Sequence, residues 1–102
     1  MRIEGERDHD GTLLVLINGR VLSPRRSQKV WNHSPTGFNV GYGGSGPAQL
    51  ALAILLDAGL SNERAVHLHQ AFKWEFLARL DTPFVLELDV VAWAAAKHRE
   101  MP

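Results

Sequence analysis

Apolar and polar positions follow two different periods along this chain, and the changes of period divide it into elements. From Met1 to Arg7, Ile3, Gly5 and Arg7 alternate with Arg2, Glu4 and Glu6, a two-residue period that predicts a weak edge strand. Asp10-Gly11 marks a turn, and Thr12 to Ile17 is a leucine-rich and β-branched run of strand length. Asn18-Gly19 then supplies two residues that tolerate positive φ, as a type I′ hairpin requires. Arg20 to Leu22 returns as the partner strand, and Pro24 ends it.

Ser23 to Ser45 shows no period and holds Pro24, Pro35, Gly37, Gly41, Gly43 and Gly44. It reads as a long irregular segment, a feature that in small domains is often functional, with Trp31, Phe38 and Tyr42 expected to pin it to the core. A helix follows from Pro47, proline fitting the first turn, and Gly59 closes it. Leu50 to Leu56 is apolar without interruption, so this helix is expected to be buried on every side. Ser61 suits the N-cap of a second helix running to about Leu80, with Ala65, Leu68, Phe72, Phe76 and Leu80 on its buried stripe and Lys73, Glu75 and Arg79 off it. Asp81-Thr82-Pro83 breaks it. Phe84 to Leu88 reads as a strand, and Asp89 as the cap of a last helix to about Arg99 with Trp93 inward. Strands followed by consecutive helices predict an α+β fold: a small antiparallel sheet with an N-terminal hairpin, a glycine-rich loop, a buried central helix and two further helices.

At 102 residues, the chain fits a single domain spanning 1–102. With no cysteine it can hold neither disulfides nor a thiol nucleophile. That composition, an N-terminus charged from the start and no apolar run of membrane length point to a cytoplasmic protein without a membrane partner. Lys plus Arg and Asp plus Glu both number 11, so the basic footprint of a nucleic-acid binder is missing overall. The charge is unevenly placed, however. Met1 to Asp10 nets −2 and Asp57 to Pro102 nets −2, while Gly11 to Leu56 carries Arg20, Arg25, Arg26 and Lys29 with no acid. Such a block raises a local positive potential that neutrality of the whole conceals.

The segment Gly41-Tyr42-Gly43-Gly44-Ser45-Gly46-Pro47-Ala48-Gln49 precedes a helix N-terminus, where unpaired N–H groups and the helix dipole favour an anion. Gly43, Gly44, Ser45, Gly46 and Gln49 are therefore candidate ligand-binding residues for a phosphate or signalling nucleotide. The alternatives are a loop whose glycines serve packing and a protein contact surface. Known phosphate motifs fail here. Gly41, Gly43 and Gly46 match G-x-G-x-x-G, but the helix they open is followed by another helix, where a dinucleotide fold needs a strand ending in an acid about 20 residues on; Pro47-Ala48 replaces the Lys-Ser/Thr of a P-loop. Pro47 also removes the last glycine of a nucleophile elbow centred on Ser45.

The block Gly37-Phe38, then Gly41 through Leu55, with Gln70-Ala71-Phe72-Lys73 and Trp93 downstream, resembles the signature of a small family of uncharacterised proteins of bacteria and their phages. That family has no assigned activity and transfers no catalytic residue. The resemblance implies a phage or mobile-element setting and an accessory factor acting on a host protein or complex, including inhibition of host defence.

The five histidines fall into no metal-binding motif. His67 and His69 diverge by about 200° on a helix, and Asp8-His9-Asp10 reads as a solvated turn. No catalytic residue, metal site or cofactor is assigned. Arg25, Arg26, Lys29, Trp31, His33 and Tyr42 are the candidate partner-binding residues, Trp31 being the one ring beside the basic cluster that could also stack on a base. The leading expectation is a non-catalytic binding protein.

Overall fold

The computed structural model of the chain describes residues 1–100. They form β1 (Arg2–Arg7), β2 (Leu13–Ile17), β3 (Arg20–Val21), α1 (Arg25–Val30), α2 (Ser45–Asp57), α3 (Asn62–Phe72), a π-helical turn (Lys73–Leu77), β4 (Phe84–Glu87) and α4 (Val90–Glu100). The sheet is antiparallel throughout, in the order β3-β2-β1-β4. This is an α+β fold.

The hairpin turns on Asn18 (φ 50°) and Gly19 (φ 82°), the two left-handed residues of a type I′ turn. Strand β1 corrects the expectation of an edge strand: it lies inside the sheet, paired with β2 on one side and β4 on the other. Its sequence looks weak because Gly5 occupies an inward position with no side chain. The missing volume comes from the next strand, since Phe84 lies opposite Gly5 and a Cβ there would stand 2.2 Å from the Phe84 ring. Ile3, Leu13, Val15, Ile17 and Phe84 line the inner face, while Leu14, Val21 and Val85 are exposed.

Helix α2 is the centre of the core, buried from Gly46 to Leu56. Leu50, Leu52, Ile54, Leu55 and Leu56 are nearly or wholly enclosed, each contributing about 1.5–3 kcal/mol. It begins two residues before the expected Pro47, with Gly44 as N-cap. Helix α1 is a second correction, a short helix inside the segment expected to be irregular. Ser27 is its buried residue, and the Ser27 hydroxyl donates to Pro24 O at 2.8 Å. Ser61 caps α3 by accepting the Arg64 N–H, and Asp89 Oδ1 accepts the Ala92 N–H at the start of α4. Trp93 packs edge-on against Phe72, and its indole N–H donates to Glu75.

Helix α3 and its π-helical continuation bury a second column beside the expected stripe: His69, Lys73 and Leu77. Lys73, expected off the buried face, is only 5% exposed. Its burial is the third correction and positions the site.

Candidate functional site

The site grows from one buried amide. Gln49, fully enclosed on α2, accepts the backbone N–H groups of His33 and Ser34 on Oε1 at 2.8 and 2.9 Å. Its Nε2 donates to Ser27 Oγ at 2.8 Å and to Trp31 O at 3.1 Å. Two acceptor and two donor positions are thus filled by the chain itself, which is the full capacity of a glutamine side chain. Gln49 is a latch that holds the segment 31–34 against α2, and it is not free to meet a ligand. Gln28 adds a bond from Nε2 to Ser34 O.

The latch holds the backbone at Trp31 and leaves its ring facing outward. Trp31 and Tyr42, expected to anchor the loop, are 49% and 47% exposed; polar bonds from Gln49 do the anchoring near Trp31. Trp31 stacks on His33, with centroids 4.3 Å apart and planes at 25°. His33 in turn meets His69, their Nε2 atoms 2.9 Å apart. His69 Nδ1 donates to Val66 O on its own helix, so its Nε2 is the acceptor and His33 Nε2 the donor of that bond. Burial pushes both imidazoles below the ordinary value of 6.5. The neighbouring His69 and then Lys73 add to this at His33, whereas at His69 the bond to Val66 O opposes it and Lys73 adds to it.

One turn beyond His69, Lys73 Nζ donates to Gly43 O at 2.8 Å and lies 4.4 Å from the centre of the Trp74 ring. Burial lowers the Lys73 pKa. Trp74 itself is 61% exposed. These contacts run from Trp31 through His33, His69 and Lys73 to Trp74, and across Gly43 and Gly44 to Tyr42. The result is a row of side chains joining the segment after α1, the glycine loop and the π-helical turn, in which buried His69 and Lys73 lie beneath the exposed rings of Trp31, Tyr42 and Trp74.

The glycines of the loop have a packing role in this surface. A Cβ on Gly43 would stand 2.1 Å from the Trp74 indole, one on Gly44 2.4 Å from the Tyr42 ring, and one on Gly46 2.5 Å from Asn39 Cβ. Of the five residues expected at an anion seat, Ser45 is exposed at the first turn of α2, Gly43 and Gly44 are half-buried, and Gly46 and Gln49 are buried. Asn39 is held from the other side by the Arg7 guanidinium, which donates to its Oδ1 at 2.6 Å.

Arg25, Arg26 and Lys29 project from α1 as exposed residues, and among the described residues no carboxylate pairs with them. Arg26 also reaches Leu56 O near the C-terminus of α2 at 3.5 Å, where the helix dipole favours a cation. Arg20 is paired with Asp57 at 3.7 Å. The exposure of Trp74 and the burial of His69 and Lys73 beside it are not signalled by the sequence. His69 lies 36 residues from His33, and nothing local in either segment signals the pairing. His67, two positions before His69, is exposed and faces His98 instead. Among the described residues no helix is long and apolar enough to cross a membrane.

Fold and surface together define a small α+β domain that presents solvent-facing aromatic rings on a hydrogen-bonded frame. The chain belongs to DUF6166, a family of unknown function, whose model matches residues 3–96. No curated protein and no solved structure matches it.

Proposed function

We propose that this chain is a non-catalytic binding module that engages a partner protein through the surface of Trp31, His33, Tyr42 and Trp74, backed by buried Lys73 and flanked by Arg25 and Lys29. The observation that carries the reading is the exposure of three large aromatic rings, Trp31, Tyr42 and Trp74, on linked and internally bonded segments. Tryptophan and tyrosine dominate the energetic centres of protein interfaces, and a frame fixed before binding reduces the entropy lost on association. The basic residues of α1 and the lack of acids from Gly11 to Leu56 favour a partner face that carries carboxylates. The resemblance to proteins of bacteria and their phages supports a finer reading: an accessory factor of a phage or mobile element that binds a host protein and inhibits host defence.

The test is copurification from bacterial cells followed by hydrogen exchange on the purified complex. A stoichiometric protein partner, with protection confined to segments 29–34, 42–44 and 70–74, is expected. Protection centred on the exposed sheet face would refute this placement.

A further inference from the structure

Three side chains that carry nitrogen or oxygen donors converge where α3 meets the latched segment. His69 Nδ1 is occupied by Val66 O, which leaves the Nε2 lone pair pointing outward from the helix. His33, fixed through its own backbone by Gln49, brings its Nε2 to 2.9 Å from the His69 Nε2, with the ring centroids 5.0 Å apart. The Gln70 side-chain amide stands 3.3 Å from the same His69 nitrogen. A backbone carbonyl on the far nitrogen is the arrangement by which proteins orient a metal-binding imidazole.

In the metal-free pairing, His33 must carry its proton on Nε2 to keep two lone pairs from meeting. A metal ion would satisfy both lone pairs at once, with His33 moving its proton to Nδ1. Tetrahedral zinc–imidazole bonds of about 2.0–2.1 Å place two such nitrogens about 3.3 Å apart, only slightly wider than the present pair. We propose that His33 and His69 form a two-histidine site for a divalent late transition ion of the Zn²⁺ class, a type suited to imidazole. Gln70 supplies Oε1 as the third ligand when its amide turns over, and solvent completes the coordination. Lys73 opposes the cation, one turn further on, although its ammonium is tied to Gly43 O. The site is independent of the partner-binding reading.

The experiment titrates the untagged protein with Zn²⁺ by calorimetry and with Co²⁺ by visible absorption. It is done in a His9→Ala background, because Asp8, His9 and Asp10 bring ligand atoms within 4.8 Å of one another at the surface. One equivalent of metal should bind. His33→Ala and His69→Ala should each weaken binding at least about tenfold, a change of about 1.4 kcal/mol. Gln70→Glu and Lys73→Met should both tighten it, the first by adding a carboxylate ligand and the second by removing a cation. His33 is only half-buried, so its variant decides the matter if His69→Ala does not fold. No saturable binding, or equal binding by the His33→Ala protein, would overturn the proposal.

Discussion

Gln49 Oε1 accepts the backbone N–H of His33 at 2.8 Å, joining the N-terminal half of the most buried helix to a half-exposed residue of the surface. The same amide holds Ser27, Trp31 and Ser34. Core and surface are therefore coupled at one side chain: the position of Trp31 and His33 is set from inside the protein.

Gln49→Leu should test this coupling. The substitution leaves the Ser34 N–H without its acceptor and removes both donated bonds. A loss of about 2–4 kcal/mol follows from unsatisfied buried groups. For a domain of this size that corresponds to a melting temperature lower by roughly 10–20 °C. Thermal unfolding followed by circular dichroism measures it, and the Trp31 fluorescence should shift as the segment loosens.

Two glycine substitutions should separate packing from binding. Gly46→Ala forces a Cβ to 2.5 Å from Asn39 Cβ beside a buried backbone, and overpacking of this kind costs about 1–3 kcal/mol. Gly43→Ala meets only the tip of the Trp74 indole, which is exposed and can swing aside. Its effect on denaturant midpoint should stay within about 1 kcal/mol, while partner affinity falls because Trp74 leaves its place.

Acidification should destabilise the fold through the two histidines. Their folded-state values lie below 6.5 because burial disfavours the imidazolium, so the unfolded chain binds more protons in that window. Stability must then rise with pH from the lowered values up to about 6.5 and level off above, as far as these groups are concerned. Urea unfolding across this range should show a slope that a His33→Asn/His69→Gln double variant reduces.

Much of the fold was legible locally. Asn18-Gly19 dictated the hairpin, Ser61 and Asp89 marked two helix starts, and the unbroken apolar run of α2 announced its burial. The position of β1 was hidden, because Gly5 borrows the volume of Phe84 from a strand nearly 80 residues away. Helix α1 was hidden for a related reason, since it buries only Ser27 and depends on Gln49 for its anchor. Within the surface, Trp31, His33 and Tyr42 stood out as aromatic or titratable residues near basic ones. His69, Lys73 and Trp74 read as parts of an amphipathic helix, and only tertiary contacts bring them to the same place. Gln49 was noticed for its place at a helix start, whereas the structure uses its amide for the loop.

Charge reversal on α1 should act on encounter more than on residence. Arg25→Glu/Lys29→Glu places carboxylates where a carboxylate-bearing partner approaches, and should lower the association rate on the order of tenfold at low salt. The difference should shrink at high salt. Surface plasmon resonance over a salt series reads both constants, and a dissociation rate that changes while association does not would contradict this assignment.

If exposed rings on a fixed frame bind a protein, removal of two of those rings must release it. Quantitative native mass spectrometry of the wild-type chain and of a Trp31→Ala/Trp74→Ala variant, each purified from the same bacterial host, tests it most directly. A stoichiometric complex is expected for the wild type, and free, folded chain for the variant. Equal occupancy of the two proteins, or a wild-type chain that carries no protein partner, would contradict it.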